Sequence, residues 1–192
     1  MNKSKIEKPK PEPTLGNGPK SIVNPSAQIA QNAMLYEGMG GSGAVFSDCR
    51  KYRYSLWRFW DQSKPLIMFI GLNPSTANES SDDATIRRVK SFAKKWGYGG
   101  VYMCNCFPFI STNPKDLQDN GNTAMNDFTI YNHFRFCKDI VFAWGNFSIV
   151  KETGRDIELA KMFPNAKALI KNKDGSPRHT LYVPSTVELV KW

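Results

Sequence analysis

Leu66-Ile67-Met68-Phe69-Ile70-Gly71-Leu72-Asn73-Pro74-Ser75-Thr76 is the stretch whose reading decides the fold. Its first five residues are apolar without alternation, and the run stops at a glycine. A short continuous run of this kind is the pattern of a strand covered on both faces, as in a parallel sheet. The residues after Gly71 are largely polar and turn-forming, so the chain leaves the sheet there on a loop.

C-terminal to this loop, Asp82 or Asp83 can cap a helix. Its apolar positions Ile86, Val89, Phe92, Ala93 and Trp96 recur at helical spacing until Gly97 ends it. Arg87, Arg88, Lys90, Lys94 and Lys95 fall outside the stripe and read as a solvated face, with Arg87 and Arg88 in the first turn and within reach of a phosphate. Val101 to Cys104 reads as a second buried strand ending at Asn105. Ser111 to Asn122 is a long polar loop, and Thr123 to Cys137 a helix with Phe128 and Tyr131 turned inward. Ile140 to Ala143 reads as a third strand ended by Trp144 and Gly145. Ser148 to Phe163 is helical with a weak point at Gly154, and Thr180 to Val183 is a short last strand closed by Pro184.

N-terminal to the decisive run, Val45 to Trp60 alternates through Tyr52, Tyr54 and Leu56, which suggests a hairpin or edge strand whose arginines face outward. Gly38, Gly40, Gly41 and Gly43 follow no strand and open no helix, so they read as a hinge and not as a phosphate cradle. Residues 1–24 mix Lys, Pro, Gly and Glu without periodicity and are expected to be a flexible basic tail, leaving 25–192 as one α/β domain.

Strand–helix alternation of this kind implies a three-layer α/β/α arrangement around a mostly parallel central sheet. Ligands of open sheets bind outside the carboxyl ends of the strands. Four segments are expected to meet there: Gly71 to Thr76, Asn105-Cys106-Phe107-Pro108, Trp144-Gly145-Asn146, and the neighbourhood of Arg178-His179.

The chain has 192 residues, 41% of them hydrophobic and 12% aromatic, enough to bury the core of a single domain. Its formal charge is +9, and because Met1 to Lys20 holds five lysines and two glutamates, the remainder keeps +6. Such an excess suits a polyanionic partner and equally serves solubility. Residues 1–20 carry scattered charge and proline with no apolar segment, which excludes a secretory signal there, and every apolar run is too short to cross a bilayer. The expected location is therefore the cytoplasm. Cys49, Cys104, Cys106 and Cys137 form no C-x-x-C pair, and only His133 and His179 could join them, so neither a metal nor another cofactor is expected.

Cys49-Arg50-Lys51-Tyr52-Arg53-Tyr54, the run Gly71 to Thr76, Asp82-Asp83-Ala84-Thr85-Ile86-Arg87-Arg88 and Gly175-Ser176-Pro177-Arg178-His179 together resemble a bacterial and phage family known only as a domain of unknown function. That resemblance spans roughly Ser42 to Trp192. More distantly, the order of segments is similar to the uracil-DNA glycosylase superfamily: a Gly-x-Asn-Pro loop after the first buried strand, an Asn ending a later strand, an apolar strand followed by Gly, and a His motif near the C-terminus. The distant resemblance implies a uracil-DNA-glycosylase-like fold in which Asn73 orients the attacking water and His179 donates to the departing base oxygen. It further implies that Asn105 reads the Watson–Crick edge of an extruded base, with Phe107 or Trp144 stacking on the base and Leu72 beside it. Two departures stand out: Thr180-Leu181-Tyr182 follows His179 where Pro-Ser is usual, and no carboxylate stands at position 73.

The chemistry is consistent with these residue types. Hydrolysis of an N-glycosidic bond builds positive charge on the sugar and negative charge on the base, so a site needs a placed water and a donor to the base. Extruding a base from duplex also calls for stacking surfaces and for groups on the flanking phosphates, here Ser75, Thr76, Arg87, Arg88 and Arg178. Asp83, read first as a cap, could take over proton work. Bland readings stand beside these: Asn73-Pro74-Ser75 is a good turn, Asn105 could satisfy a loop backbone, and aromatics after strands are usually core.

The expectation is thus a monomeric DNA glycosylase that removes an altered pyrimidine from single- or double-stranded DNA. The base could be uracil, a mismatch product or a bulky modified base of phage DNA, which would suit antiviral defence. The alternatives are a nucleic-acid-binding module without turnover and an enzyme acting on free nucleotides.

Overall fold

The structure, a computed structural model, describes residues 41–117 and 123–192. The basic tail expected over residues 1–24, the segment 25–40, Gly38 and Gly40 lie outside the described residues. The apolar run at Leu66 becomes β3 (Leu66–Gly71), at the centre of a seven-stranded mixed sheet. The other strands are β1 (Ser42–Phe46), β2 (Arg53–Phe59), β4 (Gly100–Asn105), β5 (Cys137–Phe142), β6 (Lys167–Ala168) and β7 (Val190–Lys191), in the order β1-β2-β4-β3-β5-β6-β7.

Parallel pairing is confined to β4, β3, β5 and β6, while β1–β2, β2–β4 and β6–β7 pair antiparallel. The protein is therefore an α/β fold with a parallel centre and antiparallel margins. Four α-helices accompany the sheet: α1 (Ala84–Lys95), α2 (Thr123–Phe134), α3 (Ser148–Glu152) and α4 (Arg155–Met162).

Successive side chains of β3 enter two different clusters, as the two-residue period of a strand requires. Leu66, Met68 and Ile70 join Ile130, Val150 and Leu159 of α2, α3 and α4. Ile67 and Phe69 join Ile86, Val89, Phe92 and Ala93 of α1. Each such buried side chain contributes roughly 1.5–3 kcal/mol of transfer free energy, which is why an unbroken apolar strand fits only here. α1 begins where Asp83 accepts from Ile86 N at 2.8 Å and ends before Gly97, whose φ is +79°.

Several expectations are corrected. Arg53 and Arg58 of β2 are buried, not outward: carbonyls of the 77–81 loop receive their guanidinium N–H groups, and Asp82 pairs with Arg58. In α2, Phe128 and Tyr131 are 66% and 54% exposed, and the inward positions are Asn126, Thr129 and Ile130. The polar Asn126 wins the inner face because its Nδ2 donates to the carbonyls of Asn105 (2.9 Å) and Cys106 (3.3 Å). The helix expected over 148–163 divides at Gly154, which takes a left-handed φ of +72°. Thr180–Tyr182 is a 3-10 turn and not a strand, because the His179 ring accepts from Leu181 N and its carbonyl from Tyr182 N. Gly43, expected in a hinge, lies in β1, where a Cβ would sit 2.1 Å from the Trp57 ring.

Candidate functional site

Three carboxyl ends of the parallel strands are tied together by backbone. Cys106 N donates to Gly71 O (2.8 Å), Phe107 N to Leu72 O (3.0 Å) and Ala143 N to Ile70 O (2.8 Å), while Gly145 N donates to Pro177 O at 2.9 Å. The last bond carries the Ser176-Pro177-Arg178-His179 segment to the same edge. Between these ends lies a cavity of about 160 Å³ whose lining includes Asn73, Asn105, His179, Asp83 and Arg53. Leu72 and Ser75 also line it.

Asn73 is held by its own amide. Nδ2 donates to Ser111 O at 2.8 Å and Pro74 O at 2.9 Å, with a longer contact of 3.4 Å to Phe109 O. The donor half of the side chain therefore fixes the loop, and Oδ1 remains as an acceptor with no partner among the described residues. Asn105 is fully buried opposite Gly71, in the register Gly71↔Asn105. In the amide orientation that satisfies its neighbours, Nδ2 donates to the carbonyls of Asn73 (3.3 Å) and Cys104 (3.2 Å). Its oxygen is then the half left for a ligand, so Asn105 offers an acceptor and not the donor–acceptor pair needed to read a base edge alone.

His179 accepts from Leu181 N through Nδ1 at 3.3 Å, which puts the proton of the neutral ring on Nε2. Burial holds its pKa below the ordinary 6.5, and the Asp83 carboxylate opposes that shift. At neutral pH the ring is a neutral donor. Asp83 caps α1 through Oδ1 and lines the cavity at the same time.

Phe107 and Trp144, expected to stack on a ligand, do not line this cavity. Both lie in the cluster that contains Leu66, and Trp144 packs its ring against Phe142 and Trp192. The aromatic side chains that do line it are Phe147, 39% exposed, and Tyr182, 75% exposed. Phe147 is positioned by Gly145, whose φ of +85° favours glycine and whose Cβ would stand 3.2 Å from the Phe147 ring. Sequence reasoning misses both aromatics, although the Gly two residues before Phe147 is a usable signal.

Of the candidate phosphate-contacting groups, only Ser75 lines the cavity. Arg88 Nη2 donates to Val183 O (2.7 Å) and its guanidinium lies 4.7 Å from the Phe92 ring centroid, and Arg178 Nε donates to Asn172 Oδ1 at 3.0 Å. Both guanidinium groups are thus bonded to oxygens of the protein itself, and neither lines the cavity. Arg87 is exposed, with one bond from Nη1 to Asp82 O at 2.6 Å, and Thr76 is exposed outside the cavity lining. The Asn105–Cys106 turn has supports of its own, since Arg155 Nε donates to Cys106 O at 3.1 Å while its Nη groups pair with Asp127 and Glu158.

Arg53 is the functional candidate that sequence reasoning misses most completely, a buried guanidinium in the cavity wall where an outward arginine is expected. Burial pushes its pKa down to about 10, against the upward pull of Asp83, so it stays charged at neutral pH.

Among the described residues no group of three His, Cys, Asp or Glu could hold a metal, and no helix is long and apolar enough to cross a membrane. Comparison with curated proteins and with solved structures found no match. A family model, Protein of unknown function (DUF1643), matches residues 53–181, which take in β2 through the His179 turn and so every residue named in the cavity except Tyr182. The chain belongs to the DUF1643 family.

Proposed function

We propose that the protein is a DNA glycosylase that hydrolyses the N-glycosidic bond of an extruded pyrimidine and leaves an abasic site. The observation that carries this reading is the meeting of Asn73, Asn105 and His179, from three distant parts of the chain, on one cavity at the carboxyl ends of parallel strands.

Each group has a task consistent with its hydrogen bonds. The free Oδ1 of Asn73 orients a water toward C1′ of the sugar, since its Nδ2 is already committed to loop carbonyls. An oxocarbenium-like carbon needs a placed nucleophile more than a strongly basic one. Nε2–H of His179 donates to the base oxygen on which negative charge collects. Asn105 Oδ1 accepts from the imide N–H of the base, and Phe147 supplies the stacking face in place of Phe107 or Trp144. In this reading Asp83, which lines the same cavity, receives the water's proton.

A cavity of about 160 Å³ is small beside the several hundred Å³ typical of sites for larger ligands. It favours a single unadorned ring, uracil or a mispaired thymine, over a bulky modified base. The test is to incubate the full chain with duplexes carrying each base, and with free nucleotides, and to assay alkali-labile sites. Abasic product from the uracil or mismatched duplex is expected, with at least a hundredfold loss in Asn73→Ala and His179→Ala on the scale typical of a removed transition-state contact. Binding of oligonucleotides without product would turn the reading into that of a binding module, and tight binding of a mononucleotide alone into that of a nucleotide enzyme.

A further inference from the structure

Three arginines are buried among the described residues, and two have obvious reasons to be there. Arg58 pairs with Asp82 at 2.8 Å. Arg155 pairs with Asp127 and Glu158. Arg53, 2% exposed, has no carboxylate within ion-pair distance among the described residues. Its Nη1 donates to Ala77 O at 2.7 Å, and its Nε is buried with no partner. A buried, incompletely bonded cation is costly, and where a fold keeps one, a counter-charge normally faces it.

Arg53 and Asp83 line the same cavity and feel each other's charge, yet they do not close into an ion pair. The space between them is thus bounded by a cation and an anion. A phosphate dianion would be pushed away by Asp83, whereas a glycosidic bond breaking into a positive sugar and a negative base matches this polarity. From this arrangement we propose, on the footing of the glycosylase reading, that Arg53 is a catalytic residue holding the negative charge of the departing pyrimidine, with Asp83 facing the sugar. The C1′–N1 bond breaks with its electron pair passing to the base ring. Water oxygen bonds to C1′, its proton goes to the Asp83 carboxylate, and the base leaves as an anion held by Arg53 and the His179 donor.

This assigns Arg53 a signature that a merely structural residue lacks: its contribution grows with the difficulty of the leaving group. The experiment compares release of uracil and of the more acidic 5-fluorouracil from otherwise identical duplexes by the full-length wild type and Arg53→Gln. Uracil release is expected to fall about a hundredfold, the scale for one lost charge-stabilising group, and 5-fluorouracil release only about tenfold. The ratio between the two bases is measured within one sample, so partial unfolding of the variant cancels. Should Arg53→Gln not fold, Arg53→Lys keeps the charge but loses the fork, and the ratio should shift about threefold. An unchanged ratio in a variant that still cleaves overturns the assignment of Arg53 and leaves the glycosylase reading intact. Wild-type protein that releases neither base overturns both. Uridine monophosphate binding that is lost in Arg53→Gln, with the ratio unchanged, would put a phosphate at Arg53 and also refute the proposal.

Discussion

Replacing Asp82 by Asn tests the frame that carries Asp83 into the cavity. Asp82 accepts from Arg58 Nε at 2.8 Å and from Lys90 Nζ at 2.6 Å, and the Arg58 and Asp82 side chains are only 5% and 17% exposed. Removing one partner of a buried pair costs about 3–5 kcal/mol when the other charge is left alone. Here Arg58 still donates to the carbonyls of Trp57, Asn78 and Ser81, and an Asn oxygen can still accept from Nε, so the expected loss is nearer to about 2 kcal/mol. With a urea slope of about 1–3 kcal/mol/M, the unfolding midpoint should fall by roughly 1 M at pH 7. Burial pushes the Asp82 carboxyl up, but the hydrogen bonds from Lys90 and Arg58 outweigh it, and the net shift is downward from the ordinary 3.8. A depressed carboxyl contributes fully above its unfolded pKa and loses that contribution as pH falls through the folded value. The stability gap between wild type and variant should therefore hold from pH 7 to about 5 and shrink below about pH 4. Asp61 and Asp174 are also shifted downward, to about 2, but they are common to both proteins and drop out of the difference. Equal midpoints at pH 7, or a gap that persists undiminished into strong acid, would refute the reasoning.

The same geometry fixes two further outcomes. Burial lowers the His133 pKa from 6.5 to about 4, so the folded state refuses a proton that the unfolded chain accepts, and stability is lost as pH falls from 6.5 toward 4. Replacing His133 by Phe, which keeps a ring against Tyr102, should remove about 2 kcal/mol of the wild-type decline between pH 7 and 5, read by urea unfolding at the two values, and an unaltered decline would contradict this. Gly71→Ala would place a Cβ 2.6 Å from Met103 Cε and 3.0 Å from the side-chain amide of Asn105. The Met methyl can move, but Asn105 is held by carbonyls, so a loss of about 1–2 kcal/mol should accompany a larger loss of base release, and wild-type behaviour in both assays would exclude the tight register of Gly71 and Asn105.

The legible and the hidden parts of this fold divide along one physical line. β3 and α1 are legible because hydropathy alone determines them: Leu66 to Ile70 is buried on both faces, and Ile86, Val89, Phe92 and Ala93 recur at helical spacing. Asn73, Asn105 and His179 can be found because each closes a strand, follows one or sits in a proline-bearing turn, where backbone polarity advertises itself. The misreadings at Arg53 and Arg58 and the unforeseen inward turn of Asn126 share a cause, since each is a polar side chain bonded to carbonyls supplied from more than fifteen residues away. No local period reports such a partner. On α2 the Asn126 amide takes the inner face against the carbonyls of Asn105 and Cys106, and Phe128 and Tyr131 lie on the exposed side. Trp144 lies outside the Asn73 cavity because the alternation of β5 continues past Phe142, which returns position 144 to the cluster of Phe142.

The pair Asp82-Asp83 shows how one dipeptide can serve folding and site together. Asp83 lies in extended backbone, with φ −79° and ψ −178°, and adjacent side chains of an extended chain point to opposite sides. Asp82 is thereby directed to Arg58 and Lys90, while Asp83 is directed to the start of α1 and the cavity. Arg58 thus has its counter-charge in the first carboxylate, and the second forms no ion pair among the described residues. On the glycosylase proposal, an Asp83 closed onto Arg53 would cancel the two charges before a ligand arrived and leave no field along the bond to be broken. Arg53 and Asp83 thus both line the cavity outside any ion pair among the described residues, while Asp82 meets the charge of Arg58.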